Sequence, residues 1–190
     1  MPRRFALAEL DAAAALLRAG GVLACPTEAV YGLSCDPHNR EAFEKVFALK
    51  GRPPGQGVLL IAAAFEQVAR YIDRAAVPEA VMAEVAASWP GPHTWVFPRS
   101  DHVPGWVAGA HAGIALRVTA HAPAAALCRA FGGALVSTSA NPHGAPPARS
   151  ADEAAAYFGD ALDGVLDAPL GGLARPTTIR DALTGAIIRG

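Results

Sequence analysis

Four stretches of this chain concentrate groups that can hold or polarise a ligand. They are Pro26-Thr27-Glu28-Ala29-Val30-Tyr31-Gly32-Leu33, Lys50-Gly51-Arg52-Pro53, the single Arg117 in an apolar run, and Ser137-Thr138-Ser139-Ala140-Asn141. Three of them fall at or near strand ends or in the loops that follow, where α/β sheets place their ligands, and Lys50-Gly51-Arg52-Pro53 ends a helix. An arginine in an otherwise apolar strand needs an anion, either a ligand's or one of the chain's own acids. Ser137 fits a lining position too, although hydroxyls at strand ends often serve only nearby backbone groups.

Several familiar chemistries are missing. There is no G-x-x-x-x-G-K-[ST] loop and no G-x-G-x-x-G after a strand, so nucleotide use does not follow from a standard fingerprint. The six histidines, at 38, 93, 102, 111, 121 and 143, lack the close spacing of a metal cluster, and the expected protein-held metal set is none. Asp167 and Asp181 could each act as a base, yet nothing in the sequence pairs them, which disfavours metal hydrolysis.

Alternating helices and strands must position these groups. Leu7 to Ala19 reads as a helix ended by Gly20-Gly21, and Val22 to Cys25 as a buried strand stopping at Pro26. Asn39 caps a second helix that runs to Lys50 and stops at Gly51, and the following Gly/Pro-rich tract is a loop. Val58 to Ala62 is apolar on both faces, as a strand covered by helices should be. Helical patterns return over Phe65 to Ile72, and over Pro78 to Trp89 with Pro78 as first helical residue. Strands are predicted at Thr94 to Phe97, Ile114 to Val118 and Leu135 to Thr138, with a helix from Pro123 to Phe131 before the last. Ser150 and Glu153 make a capping-box pattern, and strands recur at Val165-Leu166, Thr178-Ile179 and Ala186 to Arg189.

This order predicts an α/β fold: a single domain over residues 7–190, built on a twisted, mixed, open sheet with flanking helices and no second domain. A chain of 190 residues, 52% of them hydrophobic, suffices for one substantial core. The net charge of −1 demands no polyanionic partner. Lysine occurs only at 45 and 50, which reads with the many alanines as compositional bias. Three widely spaced cysteines, Cys25, Cys35 and Cys128, suggest neither a disulfide framework nor a zinc site and fit a reducing compartment. Arg3-Arg4 and Leu23-Ala24-Cys25 imitate a lipoprotein signal, but Glu9, Asp11 and Arg18 interrupt its apolar region. No run reaches the roughly 18 to 20 apolar residues of a membrane span. The expected location is cytoplasmic, with no membrane partner.

Taken in order, Pro26 to Gly32, Lys50 to Pro53, Trp89 to Thr94, Arg117, and Ser139 to Asn141 resemble the motifs of the YrdC family: Pro-Thr-Glu-x-x-Tyr-Gly, Lys-x-Arg-Pro, Trp-Pro-Gly-Pro-x-Thr, an arginine in an apolar strand, and Ser-x-Asn. Each motif is weak alone, and the ordered set is specific. The resemblance covers Leu7 to Gly190 and implies the short bacterial form of the family. It implies an enzyme of the nucleotidyltransferase type that uses ATP, bicarbonate and L-threonine. Threonine carbamate attacks the α-phosphate and yields threonylcarbamoyl-AMP and pyrophosphate for tRNA modification.

The resemblance also assigns roles. Lys50 and Arg52 become the catalytic pair on the ATP phosphates, with Ser139, Asn141 and Arg189 completing the ATP contacts. Thr27, Arg117 and Thr177 become the threonine site, with Tyr31 and Ser137 as lining groups. ATP is a substrate accompanied by Mg2+, which phosphate and water oxygens hold. The implied protein partners are the tRNA-threonylcarbamoyl transferase proteins. Alternative readings are a double-stranded RNA-binding module and a carbamoyltransferase working from carbamoyl phosphate. One departure stands out. Long-form members carry a histidine at the end of a Pro-Leu-Ile-Val-His stretch, where this chain reads Gly57-Val58-Leu59-Leu60-Ile61. That contact does not transfer, and another residue or the backbone must complete the threonine site.

Overall fold

A computed structural model describes residues 1–52, 55–174 and 177–189, the last without its side chain. Ten strands among these residues form one sheet: β1 (Arg3–Phe5), β2 (Leu23–Pro26), β3 (Tyr31–Ser34), β4 (Leu59–Ala62), β5 (His93–Pro98), β6 (Gly113–Val118), β7 (Leu135–Ser139), β8 (Gly164–Leu166), β9 (Thr178–Asp181) and β10 (Ile187–Arg189). Their spatial order is β1-β8-β2-β3-β7-β4-β6-β5-β9-β10. The sheet is mixed: β1, β8 and β2 run parallel, β3 and β7 alternate antiparallel, β4 pairs parallel with β6, and β5 with β9. Among the described residues no helix is long and apolar enough to cross a membrane.

Among the described residues six helices flank the sheet: α1 (Leu10–Arg18), α2 (Arg40–Lys50), α3 (Glu79–Ser88), α4 (Gly105–Ala108), α5 (Ala122–Phe131) and α6 (Ala151–Phe158). They divide the core in two. One face buries Leu33, Phe43, Val46, Leu60, Val81, Trp95, Phe97 and Leu116 under α2, α3, α4 and α6. The other face is covered only in part, where α1 and α5 close over Leu17, Leu23, Cys25, Ile61, Leu127, Cys128 and Leu135. The rest of that face stays open, and the polar groups of the four stretches gather there.

Local chemistry sets the boundaries. Asn39 caps α2 by accepting from Ala42 N at 3.0 Å, and Gly51 ends it in the left-handed region at φ 59°. Ser150 accepts from Glu153 N, while the Glu153 carboxylate reaches back to Arg149 N, one residue before the expected cap partner. The first predicted helix starts as a single 3-10 turn, Leu7–Glu9, before α1 takes over. The Phe65 to Ile72 pattern forms two 3-10 turns, Phe65–Gln67 and Ala69–Tyr71, in place of one continuous helix; its apolar residues Phe65, Val68 and Tyr71 recur every three positions, a spacing both helix types share. Pro78 is the N-cap of α3 and not its first helical residue. Two strands escaped the reading. β1 is three residues long and lies before the expected domain start at residue 7, and β3 sits inside the motif read as a loop.

Candidate active site

The open part of the sheet floors a cleft of about 740 Å³, lined by groups from β3, β4, β5, β6, β7 and β9. This volume is in the range of small-molecule sites, roughly 300 to 1,000 Å³. Its floor is made of small side chains, among them Gly32, Gly113, Ala115 and Ser137. At Gly32 a Cβ would meet Ser137 Oγ at 3.2 Å and the Thr138 carbonyl at 3.3 Å, so glycine keeps the floor low where β3 and β7 meet.

Of the residues singled out in the sequence, Thr27, Arg52, Arg117, Ser137, Ser139 and Thr177 line this one cleft. Lys50 does not line it. Its side chain is 1% exposed, and its ammonium donates to the Ser139 carbonyl, to Asn141 O at 3.1 Å and to Asn141 Oδ1 at 3.2 Å, with Ser139 Oγ at 3.4 Å. The charge therefore reaches the cleft through the loop that Ser139 begins. Burial first, and the nearby Arg52 second, push the Lys50 ammonium down to about 8. No carboxylate pairs with Lys50 or Arg52 among the described residues.

Asn141 is 8% exposed and turned inward: besides accepting from Lys50, it donates to the carbonyls of Pro142 (3.2 Å) and Ala145 (2.7 Å). It shapes the 140–148 loop and does not line the cleft. His143 N binds the Lys50 carbonyl at 2.8 Å, closing that loop onto the end of α2. Tyr31, expected as a lining group, is 2% exposed and absent from the cleft wall; its hydroxyl donates to the Ala168 carbonyl at 2.6 Å. The tertiary fold turns its ring into the core, where it packs. The side chain of Arg189 lies outside the described residues, while its neighbour Ile188 lines the cleft.

Arg117 has the partner that the sequence left as the alternative. Its Nη2 stands 3.3 Å from Glu28 Oε2, with side chains 5% and 8% exposed, and its Nη1 donates to Thr177 Oγ1 at 2.6 Å. Glu28 is held in turn by Thr119, whose hydroxyl donates to Oε1 at 2.6 Å. The guanidinium thus lies in the cleft wall with its plane fixed by internal partners. The backbone of Gly171 and Leu173 bonds to the carbonyls of Thr27 and Glu28, so the 167–174 segment braces this end of the cleft.

Ile61, the position aligned with the long-form histidine, is not in the cleft. The strand registers place Leu135, Ile61 and Arg117 side by side across β7, β4 and β6, and α5 covers the row as far as Ile61. Residues without an assigned role also line the site, notably His111 and Thr94. Thr94 belongs to the Trp89 to Thr94 motif, whose turn includes a cis Trp89–Pro90 bond and a Trp89 Nε1 bond to the His93 carbonyl at 2.7 Å. Its sequence signal is a threonine opening an apolar strand.

Fold and site together define an α/β protein whose cleft gathers fixed cations and hydroxyls on the uncovered half of one sheet face. The Sua5, YciO and YrdC family model, described as telomere recombination, matches residues 15–190. The chain belongs to this family. It is 56% identical over 177 residues to the threonylcarbamoyl-AMP synthase of Halorhodospira halophila, covering 93% of this chain and 92% of that protein. Among solved structures, a doubly substituted P. abyssi Sua5 superposes with a TM-score of 0.91 at 28% identity, over 98% of this chain and 59% of the other. P. abyssi Sua5 complexed with L-threonine gives 0.87 at 29% identity, over 95% of this chain and 54% of the other.

Proposed function

We propose that this chain is a threonylcarbamoyl-AMP synthase, a nucleotidyltransferase that joins L-threonine, bicarbonate and ATP. The observation that carries this reading is the buried Lys50 ammonium with Arg52 beside it, a pair of cations with no carboxylate partner among the described residues. Such a pair suits a polyanion far better than a neutral ligand. The threonine amine bonds to the carbon supplied by bicarbonate, and the amine proton leaves with the bicarbonate hydroxide as water, giving a carbamate. A carbamate oxygen then bonds to the α-phosphorus of ATP, and the bond to the bridging oxygen breaks with release of pyrophosphate.

The nucleophile is already anionic, so the protein's contribution is positioning and charge compensation. Lys50 and Arg52 stabilise charge that develops on the phosphates. Ser139 offers a hydroxyl at the same wall, Asn141 holds the loop that presents it, and Arg189 adds a further ATP contact. At the other end Arg117 binds the threonine carboxylate, with Glu28 and Thr177 fixing its plane, and Thr27 and Ser137 lining the amino-acid site. Tyr31 supports that wall from behind. ATP arrives with Mg2+, held by phosphate and water oxygens. The product passes to tRNA-threonylcarbamoyl transferase proteins in the cytoplasm; the free thiols of Cys25, Cys35 and Cys128 support a reducing compartment.

Labelled bicarbonate is the decisive reagent. The label is expected in a threonine-containing adenylate, with pyrophosphate release that requires ATP, threonine and bicarbonate jointly. Pyrophosphate formed at full rate without bicarbonate, or no label in an AMP-linked product, overturns the reading.

A further inference from the structure

Thr94 is 1% exposed, yet it lines the cleft, and its hydroxyl has no hydrogen-bond partner among the described residues. A buried hydroxyl left unsatisfied is destabilising, so a position of this kind calls for a partner. The registers locate that partner. β5 pairs with β6 through Trp95 and Leu116, which sets Thr94 opposite Arg117 one step further along, and β5 pairs with β9 through Thr94 and Ile179. Directly opposed residues have Cβ atoms about 4.5 to 5.5 Å apart. Arg117, Thr94 and Ile179 therefore form one row across the cleft, with a carboxylate-binding fork, a hydroxyl and an apolar side chain in succession.

We infer that Thr94 reads the β-hydroxyl of the amino-acid substrate. This rests on the proposed function, in which Arg117 takes the threonine carboxylate. In threonine the hydroxyl-bearing carbon is separated from the carboxylate by the α-carbon alone, so a substrate held by Arg117 brings its hydroxyl to the neighbouring position in the row. A ribose hydroxyl of ATP fits less well. Thr94 on β5 is three strand spacings from Ser139 on β7, on the order of 14 Å from the phosphate end. Thr94 also supplies what Ile61 cannot: a polar group at the threonine site in a chain whose aligned histidine position is apolar and covered by α5.

A site built around a substrate hydroxyl rejects the analogue without it, by as much as about 10⁴-fold. The test compares L-threonine with L-2-aminobutyrate, which lacks the hydroxyl, in bicarbonate-dependent pyrophosphate release by wild type, Thr94→Val and Thr94→Ser. Wild type is expected to prefer threonine by roughly 10²-fold or more in kcat/KM. Thr94→Val is expected to lower threonine kcat/KM about tenfold or more and to shrink that preference to within about tenfold, leaving the KM for ATP unchanged. Thr94→Ser should restore most of the preference. Valine matches threonine in shape and removes only the unpartnered hydroxyl, so the ligand-free Tm should hold or rise. An intact preference in Thr94→Val overturns the inference, as does a lowered Tm accompanied by equal losses for both substrates. If wild type itself shows no bicarbonate-dependent turnover with threonine, the proposed function fails instead.

Discussion

The two ends of the cleft solve the same problem, a cation removed from water, in opposite ways. At one end Arg117 faces the Glu28 carboxylate and is braced by Thr177. At the other, among the described residues, Lys50 donates to neutral oxygens, those of Ser139 and Asn141. A compensated charge can stay in place whatever occupies the site. An uncompensated one stays electrostatically unsatisfied until an anion arrives, and its depressed proton affinity records that strain. Under the proposed function the difference fits the two substrates: a pre-set fork suits a small carboxylate, and a cation without a carboxylate partner suits a triphosphate.

The sharpest way to break this contrast is to remove the uncompensated charge. Lys50→Ala is expected to lower turnover by roughly 10²-fold or more, the scale of a lost transition-state donor, in a protein that still folds. Circular dichroism beside a pyrophosphate assay checks both, and near wild-type turnover would take Lys50 out of the phosphate site.

At the paired end the expected loss is smaller and selective. Arg117→Lys keeps the charge against Glu28 but replaces a planar fork with one ammonium, and threonine affinity is expected to fall about tenfold or more while ATP affinity changes little. Calorimetric titration of each substrate separates the outcomes. An equal loss for ATP would merge the two ends into a single electrostatic site.

Acidity offers a third test. The free-state Lys50 ammonium titrates at about 8, and bound phosphates favour its protonated form. ATP affinity should therefore be level below that pH and weaken above it, by at most about tenfold per pH unit. The sign follows because the proton lost from the free protein must be regained on binding. The inflection should vanish in Lys50→Arg, whose guanidinium keeps its proton throughout. A profile for the arginine variant that matches wild type would point to another group.

The smallest effect concerns the scaffold that carries Lys50. Asn39→Ala removes the α2 cap at the opposite end of the same helix and is expected to cost about 1 kcal/mol of unfolding free energy, with ATP affinity nearly unchanged. Chemical denaturation measures it. A large affinity loss at this distance would mean that helix stability, and not the ammonium, sets the phosphate end.

Most elements were legible because their signals are local. Asn39, Gly51 and Ser150 mark helix ends by groups that satisfy nearby backbone atoms, and the apolar runs of β4 and β6 announce strands. β1 offers only three residues, too few for an alternation to register, and β3 is a short strand with a glycine at its second position that follows directly on the polar Thr27-Glu28 turn of the same motif. The 3-10 turns around Phe65 and Tyr71 have apolar spacing that suits either helix type.

The sequence by itself determined the α/β alternation, the four stretches that supply the cleft, and the order of motifs that places the chain in its family. Only the tertiary structure decided which motif residues face the cleft and which serve it from behind. Lys50 meets Asn141 across 91 residues of chain, Arg117 meets Thr177 across 60, and Thr119 meets Glu28 across 91. Local pattern fixes periodicity and caps, because those depend on neighbours a few residues away. Whether Tyr31 packs, whether Asn141 turns inward, and whether Ile61 lies under α5 or in the open depend on strand order and helix cover, which exist only once distant segments meet.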